Sequence, residues 1–145
     1  MPKEKFSTSA VDAWLVFALD DARGAQRLYG AELWNLVCFH AQQATEKVLK
    51  AFLRAHMNQI PRVHSLAKLI ELCSKIDRTF LRHKQLALLL DRYYIPTRYP
   101  EAAPGSLPEG LPEKDDAKLA LQYMKRILKF VNKRLAGGHK TPLGF

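Results

Sequence analysis

Residues 34–53, WNLVCFHAQQATEKVLKAFL, form the stretch that decides the fold of this protein. Residues of mainly apolar character recur through it at steps of three and four, which is the spacing of one face of a helix. They are Trp34, Cys38, Ala41, Thr45, Val48 and Phe52. Leu36 and Phe39 add a second apolar face near the start. The pattern predicts a long helix from Ala31 to about Asn58 whose first half is buried on more than one side.

The same periodicity on both sides of this stretch predicts four more helices. Ser9 and Asp12 resemble a capping box at the start of the first one, and Ser65 is a suitable N-cap for a short helix after the break at Pro61. The predicted helices span residues 9–29, 31–58, 66–76, 81–94 and 113–135. No strand-type alternation persists, so the fold class is all-α: an antiparallel up-and-down helical bundle of four main helices plus one short helix. Residues 1–135 are expected to form a single domain, and residues 136–145 a flexible tail.

The composition indicates a soluble globular chain with a basic surface. Of 145 residues 48% are hydrophobic and 26% charged, and the formal net charge is +9. This charge favours a polyanionic partner such as nucleic acid or nucleotide, although solubility alone would also explain it. No apolar run reaches the length of a membrane span and the N-terminus lacks a signal peptide, so a cytoplasmic location is expected. Cys38 and Cys73 stand singly in apolar patterns, which predicts buried free thiols and no metal site.

One face of the second predicted helix is basic. His40, Gln43, Lys47, Lys50 and Arg54 follow one another at steps of three and four. The stripe could face the phosphate of a ligand, or it could be an ordinary solvated helix face. An ion pair between Glu46 and Lys50 would give local helix support of a few tenths of a kcal/mol.

Two histidines are further candidates. His64 lies just before the N-cap of the third helix, where it could bind phosphate, move a proton or simply pack at the helix start. His83 follows Arg78 with four residues between them, at the front of the fourth helix. A histidine as general acid or base beside an arginine that stabilises charge at phosphorus could cleave RNA. The alternative is a plain surface helix.

The segment DRYYIPTRYP, residues 91–100, opens a long loop that runs from Tyr94 to Pro112. Pro96 and Pro100 restrain the backbone around Arg98. Arg98 could then bind phosphate or carboxylate while Tyr94 and Tyr99 stack on a base or ribose. Alternatively the tyrosines cover one end of the bundle, and Arg98 pairs with helix carbonyls or with a buried carboxylate such as Glu46.

Together, WNLVCFHAQQATEKVLKAFL, the following HSL, LDRYYIPTRYPEAAPGSLPE and the final amphipathic helix resemble the HEPN domain family of nucleotide-binding domains. The resemblance covers about residues 11–135, and YYIPTRYP is its most specific part. It implies a helical bundle that is commonly a homodimer and is often encoded beside a minimal nucleotidyltransferase. Such pairs frequently act as toxin and antitoxin, with the HEPN member as the ribonuclease.

The ribonuclease branch of this family carries an arginine, a polar residue and then a histidine four to six residues beyond the arginine. Arg78, Thr79 and His83 fit that spacing, whereas Arg92 and Arg98 have no histidine after them until His139. The leading hypothesis is therefore a homodimeric module that binds nucleotide or phosphate, with no other cofactor and no metal. Arg98, Tyr94, Tyr99, Lys47, Lys50, His40 and His64 would form its site, and a nucleotidyltransferase would be its partner. The alternatives are a metal-independent ribonuclease that uses Arg78 and His83, and a purely structural interaction partner.

Overall fold

The computed structural model of the chain describes residues 3–94 and 110–136, with side chains for residues 10–94 and 110–135. Helix is the only regular secondary structure in these two ranges, which confirms the predicted all-α bundle. The elements are α1 (Lys3–Gly30), α2 (Trp34–His56), α3 (Leu66–Ser74), a 3₁₀ helix (Arg78–His83), α4 (Lys84–Asp91) and α5 (Lys114–Ala136). None of the described helices combines the length and apolar composition needed to cross a bilayer.

Helix α2 is the centre of the bundle. It packs against α1, α3 and α5, so its sequence is buried on several faces, as the second apolar stripe predicts. Helix α1 meets it through Leu15, Ala18, Ala22 and Ala25, all of which are buried. Alanine side chains let the two helix backbones approach closely, which makes this the most extensive helix pair of the fold. Helices α1 and α5 both pack on α2 but contact each other little.

Three phenylalanines join α2, the 3₁₀ helix and α5. Phe80 is fully buried, with ring centroids 4.5 Å from Phe52 and 4.9 Å from Phe130. Aromatic pairs at these separations add to the stability that burial itself provides. The cluster fixes the 3₁₀ helix against α5 and so sets the position of His83, which ends that helix.

Several predicted boundaries differ from the structure. Helix α1 begins at Lys3, so Ser9 lies inside it rather than at its start. Helix α2 begins only at Trp34, because Glu32 takes a left-handed backbone conformation (φ 60°) that interrupts the helix. The front of the predicted fourth helix is the 3₁₀ helix, and α4 begins at Lys84. Residues 95–109, most of the predicted long loop, and residues 137–145 of the predicted tail lie outside the described residues.

The N-cap predicted for α3 is confirmed. The Ser65 hydroxyl accepts a hydrogen bond from the Lys68 N–H. Asp91 of α4 reinforces this start, since its carboxylate accepts from the backbone N–H groups of Leu66 and Ala67 and from the Ser65 hydroxyl. The free donors of the α3 N-terminus are thus satisfied by a carboxylate from the chain itself.

Candidate functional site

The first group of predicted site residues lies in a polar seam between α1 and α2. Asp21 of α1 binds two members of the basic stripe, His40 through its Nδ1 at 2.9 Å and Lys47 through a short ion pair. Burial raises the pKa of the Asp21 carboxyl, but the hydrogen bonds from His40 and Lys47 outweigh it and hold that pKa below its usual range. This part of the stripe is therefore not a solvated face, and Asp21 offsets the charge of Lys47.

The second group centres on Glu46. Its Oε2 lies 2.8 Å from the Lys50 ammonium and 3.1 Å from Nδ1 of His64. The side chains of Glu46 and Lys50 are each only 7% exposed, and the ammonium lies 5.8 Å from the ring centroid of Trp14. The predicted ion pair between Glu46 and Lys50 is therefore buried. Removing one partner of a buried ion pair destabilises a protein much more than removing one partner of an exposed pair.

This second group continues toward the YYIPTRYP segment. The rings of His64 and Tyr94 are stacked, with centroids 5.3 Å apart and 13° between their planes. The side chain of Gln42 donates to the backbone carbonyl of His64 and so fixes its position. The structure therefore brings Lys50, His64 and Tyr94 together. Arg98 and Tyr99, the other proposed ligand-binding residues of the segment, lie outside the described residues.

The other oxygen of the Glu46 carboxylate, Oε1, is buried and accepts no hydrogen bond from the side chains and backbone that the structure describes. A buried carboxylate oxygen without a donor is costly. If Arg98 pairs with Glu46, as one of the hypotheses above predicts, Oε1 is the oxygen that would accept its hydrogen bond.

A third cluster, which we call the basic end, lies where the 3₁₀ helix meets α5. Arg134 of α5 donates to the Asp77 carboxylate at 3.0 Å and to the Thr79 hydroxyl at 3.0 Å. Its guanidinium carbon lies 3.5 Å from the ring centroid of Phe130. The His83 ring packs on the same phenylalanine, with centroids 4.3 Å apart and an angle of 62°. These contacts fix both Arg134 and the histidine of the predicted Arg78 and His83 pair.

The basic end favours the neutral form of His83. Burial lowers the pKa of this imidazole, and the positive charges of Arg134, Arg82 and Arg126 lower it further. Its Nδ1 is buried and has no hydrogen-bond partner in the described part of the chain. A neutral imidazole among arginines can take up a proton while the guanidinium groups attract a phosphate.

The sequence patterns described above did not single out Arg134. Arg126, Phe130 and Arg134 recur every four residues and so line one face of α5. That pattern was a signal in the sequence, but nothing in it showed that the face meets the 3₁₀ helix.

The two cysteines are free and buried, as predicted. Burial raises the pKa of each thiol to about 12, with the Asp116 charge adding to the effect at Cys38. A thiol that stays protonated at neutral pH is a poor nucleophile and a poor metal ligand. Among the described side chains, no group of three or more histidine, cysteine, aspartate or glutamate residues could hold a metal ion.

Comparison with known proteins agrees with this architecture. The family model described as HEPN domain matches residues 11–134. The crystal structure of TT1696 from Thermus thermophilus superimposes with a TM-score of 0.75 at 32% sequence identity, over 86% of this chain and 97% of that one. The crystal structure of ST0689, an archaeal HEPN homologue, gives a TM-score of 0.68 at 27% identity, with the same two coverages. No curated protein matches the sequence. The chain belongs to the HEPN domain family.

Proposed function

We propose that this HEPN protein is a cytoplasmic homodimeric module that binds a phosphate-bearing ligand and acts with a nucleotidyltransferase partner in a system of the toxin–antitoxin type. The observation that carries the proposal is the unneutralised charge of the basic end. Arg78, Arg82 and Arg126 make no ion pair with any described residue, whereas Arg134 is held by Asp77. Guanidinium groups bind phosphate oxygens through two parallel hydrogen bonds, so free arginines around a packed ring suit a phosphate ligand.

The predicted stripe on α2 is less suited to that role. His40 and Lys47 bind Asp21, and Lys50 binds Glu46. A phosphate would have to compete with carboxylates already in contact, at a cost in electrostatic free energy. We retain the YYIPTRYP segment as a second candidate site for phosphate. Arg98 would bind the phosphate there, and Tyr94, whose ring is stacked on His64, would contribute an aromatic face.

Exposed leucines support the homodimer. Leu81, Leu88 and Leu89 are 45%, 44% and 36% exposed and follow one another along the 3₁₀ helix and α4. Large apolar side chains in such a strip are typical of association surfaces. A second copy docked there would place two sets of Arg78 and His83 near one interface.

A metal-independent ribonuclease is the second candidate, and the state of His83 favours it. A half-buried imidazole with a lowered pKa can accept the proton of a ribose 2′-hydroxyl, which then attacks the adjacent phosphorus. Arg78 or Arg126 would stabilise the negative charge that develops on the phosphoryl oxygens. The 5′ oxygen leaves and takes up a proton, giving a cyclic phosphate without any metal.

Calorimetric titration with ATP and with a short RNA tests the phosphate site. The double variant Arg82→Ala with Arg126→Ala should weaken binding at least tenfold, because two charged contacts are lost. Arg23→Ala on the exposed face of α1 is the matched control and should bind like the wild type. Equal binding by the double variant and the wild type would refute a site at the basic end, and Arg98→Ala then tests the YYIPTRYP segment in the same assay.

Incubation of RNA with the protein in excess chelator separates the two candidates. Cleavage that disappears in His83→Ala, in a sample that still binds RNA, would establish the ribonuclease. Binding without cleavage would leave the phosphate-binding module. Co-purification with the product of a neighbouring nucleotidyltransferase gene tests the partner, and sedimentation of Leu88→Glu against wild type tests the leucine interface.

A further inference from the structure

The imidazole of His64 is held in one orientation by three contacts. Its Nδ1 lies 3.1 Å from Oε2 of Glu46. Its ring is stacked on Tyr94, and the side chain of Gln42 donates to its backbone carbonyl. Glu46 and Gln42 are both buried, whereas the His64 side chain is 58% exposed. Buried polar side chains therefore hold an imidazole that solvent can reach.

The contact with Glu46 determines which ring nitrogen is free. Oε2 of Glu46 also accepts a hydrogen bond from the Lys50 ammonium at 2.8 Å, as an ionised carboxylate does. An ionised carboxylate can only accept, so Nδ1 of His64 carries the ring proton and Nε2 keeps its lone pair. Within the residues that the structure describes, nothing forms a hydrogen bond with this Nε2.

An imidazole nitrogen with a free lone pair is a nucleophile, and histidine forms covalent intermediates in enzymes. Attack through Nε2 gives the ring a positive charge. The Glu46 carboxylate, 3.1 Å from His64, stabilises this charge. The Lys50 ammonium lies on the other side of the shared oxygen and repels the ring less, because it is farther away. The carboxylate therefore favours the reaction at Nε2.

Two other histidines each have one of these two features. Nδ1 of His40 lies 2.9 Å from the Asp21 carboxylate, but the His40 side chain is only 32% exposed. Nδ1 of His56 lies 2.9 Å from the Phe52 carbonyl oxygen, and His56 is exposed. A neutral carbonyl stabilises a positively charged ring less than a carboxylate does. Of these three histidines, His64 alone combines a carboxylate partner with a largely exposed ring.

We infer that His64 is a phosphorylation site, which accepts a phosphoryl group on Nε2 from a donor whose phosphorus is bonded to nitrogen. The Nε2 lone pair attacks phosphorus, the P–N bond of the donor breaks, and the donor nitrogen leaves after it takes up a proton from solvent. The Nδ1 proton stays in its hydrogen bond to Glu46. One P–N bond replaces another, so the transfer needs no further source of energy. The product places negative charge beside Tyr94, where the YYIPTRYP segment begins.

Potassium phosphoramidate, added to the full-length protein, is the donor for the test. Tandem mass spectrometry of the labelled peptides gives the rate at each histidine, and phosphorus NMR distinguishes the Nε2 product from the Nδ1 product. His64 should react at Nε2 about tenfold faster than His56, because a hydrogen bond to a charged acceptor is about twice as strong as one to a neutral acceptor. His40 should also react more slowly than His64, since its ring is less accessible.

The double variant Glu46→Gln with Lys50→Met tests the positioning role of the carboxylate. It removes both members of the ion pair, so no unpaired charge stays buried. The rate at His64 should fall about tenfold, to the level of a histidine with a neutral partner, and the rate at His56 should not change. Partial unfolding would instead bring the rates at the histidines closer to one another, which distinguishes it from the loss of the carboxylate.

The same two substitutions in the exposed pair of Glu71 and Lys84 are the matched control and should leave the rate at His64 unchanged. Three results would overturn the inference: a His64 that reacts no faster than His56 in the wild type, a phosphoryl group on Nδ1, or an unchanged His64 rate in the double variant of Glu46. None of these measurements involves the basic end, so the inference stands or falls independently of the phosphate ligand proposed there.

Discussion

Lys50→Met gives the sharpest test of the buried polar cluster around Glu46. The methionine fills nearly the same volume beside Trp14 but removes the ammonium that lies 2.8 Å from the Glu46 carboxylate. The carboxylate is then left buried with His64 as its one remaining described partner. Removing one member of a buried ion pair costs about 3–5 kcal/mol, because the other charge stays in a poorly solvated site.

The expected change in melting temperature follows from the size of the chain. With an unfolding entropy of about 2.1 cal/mol/K per residue, 145 residues give about 0.3 kcal/mol/K. A loss of 3–5 kcal/mol therefore lowers the melting temperature by about 10–16 °C. The double variant Lys50→Met with Glu46→Leu removes both charges, leaves no buried carboxylate, and should recover most of this loss. His64 is 58% exposed and can bind water instead.

The exposed pair of Lys84 and Glu71 is the matched control. Its atoms lie 3.0 Å apart, much as in the buried pair, but the side chains are 43% and 45% exposed. Lys84→Met should cost less than about 1 kcal/mol. Urea titrations followed by circular dichroism measure all four proteins. A Lys50→Met cost no larger than that of Lys84→Met, or a double variant less stable than Lys50→Met alone, would refute the argument from burial.

Three further predictions concern other contacts. Arg98→Ala and Glu46→Gln should be non-additive in unfolding free energy by about 1 kcal/mol or more if Arg98 pairs with Glu46, and additive within about 0.5 kcal/mol if Arg98 instead serves a ligand. Asp91→Ala should cost about 1–2 kcal/mol in urea titration, since the carboxylate accepts three hydrogen bonds at the start of α3; a cost near zero would show that Ser65 suffices. Hydrogen bonds from Thr79, aided by Arg134, lower the pKa of Asp77. The ionised Asp77 carboxylate therefore stabilises the fold above its unfolded pKa of 3.8, and this stabilisation is lost as the pH falls through the lower pKa of the folded state. Asp77→Asn should therefore flatten the acid limb of the stability profile, and an unchanged limb would contradict this assignment.

Hydrophobic periodicity was sufficient to predict the helices and their burial. The spacing that places Cys38 and Val48 on one face of α2 depends only on the chain itself, and both residues are fully buried. The N-cap at Ser65 was predictable for the same reason, because the hydroxyl and the N–H that it accepts from are three residues apart. The helix boundaries were not predicted in the same way: residues 78–83 form a 3₁₀ helix that begins at the Asp77 N-cap, and the periodicity did not distinguish it from α4.

The environment of the basic stripe could not be predicted in this way. Periodicity showed that His40 and Lys47 share a face, but the partner that defines this face is Asp21, which lies 19 and 26 residues away on another helix. A polar face of a helix looks the same in the sequence whether water or a neighbouring carboxylate meets it. The burial of Lys50 likewise depends on Trp14, which only the packing of α1 against α2 brings near.

The positions of the acidic residues therefore decide where this basic protein can bind a phosphate. Not all cations that contribute to the net charge of +9 are free to bind a ligand. Asp21 and Glu46 pair with Lys47 and Lys50, which are two of the ligand-binding residues that the sequence predicted on α2. Several other cations have no described carboxylate in contact, and among them Arg82 and Arg126 lie together around His83 at the basic end. Guanidinium groups around a neutral histidine suit the phosphate groups that we propose as the ligand of the basic end.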